Sequence, residues 1–328
     1  MSGAREGRPR FLAVVGATTT GKTAVSLAIA ARVPAEIISM DSRQVYRGMD
    51  IGTAKASVAE RAQVPHHGLD LITPAERYSA GRFARDARAW VAEIEGRGKL
   101  PLLVGGTGFF LRAVTDPIFA EPPLDAARVD ALRRWMRMQT RDRLERWVEA
   151  LDPERAALAG QGGPQRLSRT LEVALLSGRP LSWWHRASPA EAEGLPGTIV
   201  ALDLPRDEMD RRIEARVATM MEAGLMDEVR GLLEAGYDES APGMTGTGYR
   251  EIAGYLRGTV SLVDAIEAVG VSTRRYARRQ LTWFRHQLPD TAVHLDAMAS
   301  ADEVAELALA AYERSLGGSA RLQHEVGM

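Results

Sequence analysis

Residues Val14 to Thr23 read VVGATTTGKT, and no other stretch restricts the fold of this chain as tightly. Gly16, Gly21, Lys22 and Thr23 satisfy the spacing G-x-x-x-x-G-K-[ST]. The motif follows a short apolar run, Phe11 to Val15, and opens into TAVSLAIAARV, whose small and apolar residues suit a helix. A strand, a glycine-rich turn and a helix N-terminus make an anion site. Backbone N–H groups converge there, Lys22 adds a point charge, and the Thr23 hydroxyl can hold Mg²⁺. The candidate phosphate site is therefore Gly16, Ala17, Thr18, Thr19, Thr20, Gly21, Lys22 and Thr23. The motif specifies phosphate without saying which one.

The same pattern of apolar run and turn recurs. AEIISMDS ends in Asp41 and Ser42, Leu100 to Val104 runs into Gly105, Gly106 and Thr107, and Thr198 to Leu204 forms a fourth run. Apolar strands alternating with helices predict an α/β fold of the P-loop NTPase type. Its parallel sheet is flanked by helices, and ligands lie at the carboxyl ends of the strands. Between about Asp116 and Pro196 strand signals vanish and arginine-rich helical text takes over, so residues 116–196 are expected to form a mostly helical insertion. The core is then 11–115 with 197–298. Within it one long helix is expected from about Arg206 to Ala235, and basic helices close the core. Residues 1–10 are expected to be flexible, and 299–328 to form a helix whose end frays from about Gly317.

Charge bears on the partner. The formal net charge is −1, so a nucleic-acid surface must be a local patch. RRYARRQLTWFR supplies one: Arg274, Arg275, Arg278, Arg279 and Arg285 fall within twelve residues with no acid among them. At helical spacing Arg274, Arg278 and Arg285 share a face, while Tyr276, Trp283 and Phe284 read as core packing. The chain has no cysteine, which removes disulfides, thiolate zinc sites and cysteine nucleophiles. The N-terminus is polar and no apolar run approaches the roughly 20 residues that span a bilayer, so a soluble cytoplasmic protein with no membrane partner is expected. Of 42 basic residues only Lys22, Lys55 and Lys99 are lysine, and two of them sit inside motifs, where a compact ammonium is wanted. His66 and His67, adjacent on one loop and without a third ligand, read as packing or as positioning a substrate loop.

Two acids stand near strand ends, Asp41 and Asp203. The plain reading of such an aspartate is a turn cap. Asp41, however, is followed by a polar loop, and DSRQVYRGMDIGTAK (Asp41 to Lys55) with PHHGLDL (Pro65 to Leu71), YSAGRF (Tyr78 to Phe83) and LLVGGTGFFLRA (Leu102 to Ala113) resembles the tRNA dimethylallyltransferase family, bacterial type. QRLSRTLEV from Gln165, RIEARV from Arg212, GYREI from Gly248 and RRYARRQLTWFR from Arg274 extend the resemblance over about residues 11 to 290.

The resemblance implies transfer of a dimethylallyl group from dimethylallyl diphosphate to the exocyclic amine of the adenosine beside the anticodon, with release of diphosphate and with Mg²⁺ as cofactor. It implies that Asp41 is the general base, that Thr107 lies near acceptor and diphosphate, and that Arg216 clamps the diphosphate. It further implies tRNA contacts from Asp41, Ser42, Arg43 and Gln44, from Gln165, Arg166, Leu167, Ser168 and Arg169, from Gly246, Thr247, Gly248, Tyr249 and Arg250, and from Arg128. The basic segment adds Arg278 and Arg279 as phosphate-backbone contacts. A monomer is expected. An isopentenyltransferase acting on free adenine nucleotide and a P-loop nucleotide kinase are the alternatives; the helical insertion and the basic segment argue against a small acceptor.

The chain departs from the family pattern in three places. Ala17 stands where proline is usual, with Thr19 and Thr20 in place of an alanine-serine pair; losing the proline frees the unbound loop, and the added hydroxyls can face phosphate. Arg43 replaces a common methionine, and Thr247 a usual aliphatic residue.

Overall fold

The run LAVVG forms β1 (Leu12–Gly16), buried along its whole length. The computed structural model describes residues 8–119, 122–161, 163–187 and 190–325. The chain continues through α1 (Lys22–Ala30), β2 (Ala35–Ser39), α2 (Val58–Gln63), β3 (His66–His67), α3 (Ala80–Gly96), β4 (Leu100–Gly105) and α4 (Gly108–Thr115). These elements belong to one of two compact units, Met1–Asp116 with Gly194–Met328.

The other unit, Pro117–Glu193, contains β5 (Ile118–Phe119), α5 (Ala126–Arg137), α6 (Arg141–Leu151), α7 (Pro153–Gln161), α8 (Pro164–Ser177), α9 (Leu181–Ala187) and β6 (Ala190–Ala192). Met136, Leu144, Val148, Ala159, Leu167 and Leu171, drawn from four of its helices, form a core of their own. Glu172 is buried there and accepts two hydrogen bonds from the Arg133 guanidinium, at 2.5 and 2.7 Å. The fork geometry satisfies a carboxylate that would otherwise be costly to bury. The segment is mostly helical, as expected, and also carries β5 and β6, which pair antiparallel. At two and three residues they are too short to leave a period in the sequence.

Back in the first unit, β7 (Thr198–Asp203) leads to α10 (Arg206–Glu222), α11 (Leu225–Glu234), a 3₁₀ turn at Gly243–Thr245, α12 (Tyr249–Leu256), α13 (Leu262–Gln287), β8 (Val293–Asp296) and α14 (Ala301–Glu325). The single helix expected over Arg206 to Ala235 is two. Gly224 between them has φ +99°, a left-handed conformation that interrupts the helix and that only glycine adopts freely. α14 runs past Gly317 to Glu325. At the other end Arg10 is held: its backbone N–H donates to the Pro196 carbonyl and its guanidinium pairs with Glu95. Residues 1–7 of the segment expected to be flexible lie outside the described residues.

The sheet is parallel throughout, in the order β3-β2-β4-β1-β7-β8. Strands of a parallel sheet covered on both faces need apolar side chains on both, which explains why β1, β2 and β7 read as near-continuous apolar runs. The order places β1 and its loop at the centre, so the loops after β1, β2 and β4 gather at one edge. α3 is tied to this edge through α4: Phe83 of α3 stacks on Phe110 of α4 with ring centroids 4.3 Å apart. That stack holds the helix that begins directly behind Thr107.

The loop between β2 and α2 is fixed from two sides. The Lys55 ammonium, on a fully buried side chain, donates to the Tyr46 carbonyl, Asp50 and Asp70. The Glu228 carboxylate of α11 accepts from the backbone N–H groups of Asp50, Ile51 and Gly52 at 2.7–3.0 Å and from the Tyr249 hydroxyl at 2.7 Å. Hydrogen bonds to a charged acceptor are the strong class. Glu228→Ala is therefore expected to cost about 3 kcal/mol of stability, and Tyr249→Phe about 1 kcal/mol. Thermal unfolding followed by circular dichroism checks this; equal, small losses for both variants would mean that the carboxylate does not anchor the loop.

Candidate active site

β1 ends at Gly16, the chain turns through Ala17 to Gly21, and α1 begins at Lys22. Gly21 takes φ +84° and provides no capping side chain, so the first amides of α1 have no side-chain partner at the cap. The Lys22 ammonium folds back onto the loop, donating to the Gly16 carbonyl at 3.0 Å and the Ala17 carbonyl at 2.6 Å. Desolvation pushes its pKa down to about 7; the Arg216 charge adds to that and the Asp41 charge opposes it.

The threonines that replace the family's usual residues bond within the loop. The Thr19 hydroxyl donates to the Thr18 carbonyl and the buried Thr20 hydroxyl to the Ala17 carbonyl. Both bonds stiffen the loop from within, and Thr19 also lines the cavity over it. Thr19 also takes φ +67°, an uncommon conformation for a β-branched residue. Thr18 is the hydroxyl that reaches a site residue: it accepts a hydrogen bond from Arg216 Nη1 at 2.8 Å. Burial lowers the Arg216 pKa, with Asp41 opposing. Arg216 still remains charged, as a guanidinium does in proteins.

A cavity of about 610 Å³ opens over this loop. Thr18, Thr19, Gly21, Lys22, Thr23, Asp41, Arg43, Gln44 and Arg216 line it, with Gly246, Thr247, Gly248 and Tyr249 on another side. Gly16, Ala17 and Thr20 are buried behind the lining. Asp41 Oδ1 accepts from the Arg43 N–H at 2.8 Å, the turn-capping bond expected of an aspartate at a strand end, while Oδ2 takes no hydrogen bond among the described residues. Thr107 lies one residue beyond Gly106 of the lining; its hydroxyl accepts from the Ser42 N–H at 3.0 Å, tying the loop after β4 to the loop after β2.

Several candidate residues already have internal partners. The Gln44 amide accepts from Ser39 and donates to the Thr53 and Ala54 carbonyls. The Arg43 guanidinium bridges to the Pro242 carbonyl and the Thr245 hydroxyl. Tyr249 is buried against Glu228, whereas Arg250 is exposed beside Glu251. Gln165, Arg166, Leu167, Ser168 and Arg169 lie on α8 of the second unit, where Leu167 is in the core and Gln165 and Arg166 are exposed. Arg128 is exposed on the first turn of α5 in the same unit. Asp203, the other strand-end acid, pairs with His294 at 2.8 Å and is outside the cavity lining. His66 and His67 form β3, and His67 binds the buried Glu36 at 2.8 Å.

The inner face of α13 was not evident from composition. Val269, Thr273, Tyr276 and Gln280 all line the cavity. Their spacing of 4, 3 and 4 residues is a single helical face, which is the signal that could have found them. Tyr276, expected in the core, faces the site. Burial and the Asp41 charge push its pKa upward, so it stays neutral at working pH. Arg279, exposed, also borders the cavity and stands over the Tyr276 ring at 5.8 Å, while on the outer side Arg278 lies 3.8 Å from Asp210 of α10. Arg274 similarly lies 3.5 Å from Glu214. Part of the basic face thus already has acidic neighbours.

A parallel sheet with a glycine-lysine-threonine loop at its centre, and with a carboxylate and a second cation in the same cavity, defines a P-loop α/β protein. The family described as IPP transferase matches residues 44–287, and one described as isopentenyl transferase matches residues 9–66. The chain belongs to the IPP transferase family. A tRNA dimethylallyltransferase from Geobacillus thermodenitrificans is 41% identical over 281 residues, covering 85% of this chain and 89% of that one. Another, from Methylibium petroleiphilum, is 43% identical over 308 residues, covering 90% and 93%. Among solved structures, the full-length tRNA isopentenylpyrophosphate transferase from Bacillus halodurans superposes with a TM-score of 0.69 at 33% identity, over 96% of this chain and 99% of that one. A eukaryotic dimethylallyltransferase acting on tRNA gives 0.74 at 26% identity, over 88% and 73%.

Proposed function

We propose that this protein transfers a dimethylallyl group from dimethylallyl diphosphate to the exocyclic amine of the adenosine 3′ to the anticodon in tRNA, acting as a monomer in the cytoplasm. The observation that carries this reading is the convergence of Lys22, Arg216 and Asp41 on one cavity, a cationic grip and a base within the same walls.

In this reading the loop amides, Lys22 and Arg216 hold the donor's diphosphate. As its bond to the allylic carbon breaks, the electron pair leaves with the diphosphate, and these groups meet the growing charge. The adenine amine supplies the pair for the new carbon–nitrogen bond and becomes acidic as it forms, so that Asp41 Oδ2 takes its proton. Tyr276 and Val269 help enclose the allylic centre against water. Thr23 fits a Mg²⁺ site of the minimal kind. Among the described residues no three His, Asp or Glu side chains could cage a metal, and Mg²⁺ is commonly held by few protein oxygens together with substrate phosphates and water. Bound by the Thr23 hydroxyl and the diphosphate oxygens, Mg²⁺ would supply neutralisation of the leaving group's charge.

The tRNA is gripped by Ser42, Arg43, residues 246–250, the α8 segment 165–169, Arg128 and the exposed face of α13. The target base leaves its stack to bring its amine into the cavity. Incubation with labelled dimethylallyl diphosphate and Mg²⁺ plus either unmodified tRNA or AMP tests the reading: label is expected on tRNA alone. Label only on AMP, or ATP turnover without prenyl transfer, would overturn it. Replacing Arg278 and Arg279 together by alanine is expected to lower the slope of log affinity against log salt by about 1 to 2, with Arg279 the larger contributor because Asp210 lies beside Arg278. An unchanged slope would mean that this face is merely solvated.

A further inference from the structure

Gln280 is a buried amide in the middle of the basic helix α13, and both ends of its side chain are engaged. Its Oε1 accepts from the Thr18 N–H of the phosphate loop at 2.9 Å, and its Nε2 donates to the Gly106 carbonyl at 2.8 Å. Gly106 precedes Thr107, whose hydroxyl ties to the Ser42 N–H beside Asp41 and whose own N–H donates to the Met40 carbonyl. One side chain therefore spans the gap between the diphosphate grip and the loop pair that carries the base. The fit is close: a Cβ on Gly106 would lie 2.2 Å from Gln280 Nε2, so no other residue permits this approach without displacing the amide.

We infer that Gln280 is a positioning residue that sets the separation between the leaving diphosphate and the base-bearing loop, an inference that rests on the transfer reaction proposed above. A glutamine suits this task because it offers one acceptor and two donors in a rigid plane, and here it serves an N–H on one side and a carbonyl on the other. Glutamate at this place could still accept from Thr18 but would set an oxygen against the Gly106 carbonyl, so the distance changes with little change in volume. The Thr18 amide is already used by Gln280, which leaves the later amides of the loop and the first turn of α1 to bind phosphate. Misplacing reacting groups by about 1 Å can cost on the order of 10²-fold in rate while leaving each half-site able to bind. A bond that only held the fold together would instead lower stability and both binding steps.

The test compares wild type, Gln280→Glu, Gln280→Met and Gly106→Ala, with kcat for tRNA prenylation, KM for tRNA, pyrophosphate Kd and unfolding midpoint measured for each. Gln280→Glu and Gly106→Ala are each expected to lower kcat about 10- to 100-fold, with KM and pyrophosphate Kd within about 3-fold, and the double variant to be no worse than the poorer single one. Gln280→Met should match them. A kcat within 2-fold of wild type for Gln280→Glu, additive losses in the double variant, or kcat losses matched by equal losses of pyrophosphate affinity or of folded protein would overturn the inference. Absence of transfer by wild type in the same assay is a separate outcome: it overturns the parent reading and this inference with it.

Discussion

Replacing Asp41 by asparagine is expected to lower single-turnover transfer to tRNA by about 10²- to 10⁴-fold, the range a positioned proton acceptor contributes. Asparagine has the same size, and its carbonyl oxygen can still accept from the Arg43 N–H, so the turn that Asp41 Oδ1 caps should persist. What is lost is the basicity of the oxygen that faces no other donor. tRNA affinity, carried by many contacts, should change by no more than a few-fold. Filter binding beside a single-turnover assay separates the two quantities. Near-normal turnover of the variant would remove Asp41 as the base, and a parallel loss of tRNA binding would mean that its role is structural.

The parts of this site that depend on local backbone geometry were legible in the sequence. Gly16, Gly21 and Lys22 identify a phosphate loop because few other sequences turn a strand into a helix N-terminus with that spacing, and the structure places the loop at the end of the central strand. The position of Asp41 after an apolar run announced the turn cap it makes with the Arg43 N–H, whereas its role as base was implied by the family resemblance alone. The inner face of α13 was harder, because an aromatic at helical spacing is usually core: Tyr276 looks like Phe284 in text, yet Phe284 is buried and Tyr276 lines the cavity. The counter-charges of Arg274 and Arg278 come from α10, about 60 residues earlier, a separation over which a helical period carries no information. β3 has two residues and β8 a half-buried four, so neither could announce itself. Gly224 was visible but ambiguous, since a glycine inside a helical pattern is often tolerated; its positive φ decided the matter.

The second large effect should come from Lys22, through pH as well as through rate. Free of ligand, its ammonium is desolvated and, among the described residues, bonded only to the neutral carbonyls of Gly16 and Ala17, with a pKa of about 7. An incoming diphosphate stabilises the charged form, so the pKa in the complex is higher than in the free protein. Below about pH 7 the ammonium is already present and binding needs no proton. As pH rises past 7 the free protein loses that proton, binding must take one up, and affinity falls by up to about tenfold per pH unit until the pKa of the complex is reached. Calorimetry of pyrophosphate binding at pH 6.5, 7.5 and 8.5, in buffers of different ionisation enthalpy, should therefore record proton uptake that grows over this range. Pyrophosphate titrates too, and Lys22→Met supplies the control: its affinity should be lower throughout and its dependence on pH shallower. The same variant loses a preorganised charge at the departing group and should lower transfer by about 10²- to 10³-fold. If Lys22→Met kept the wild-type pH slope, the proton would belong to the ligand alone. The ammonium now folded onto its own loop would then have to stay there when the anion arrives, and Arg216 with the loop amides would carry the leaving charge unaided.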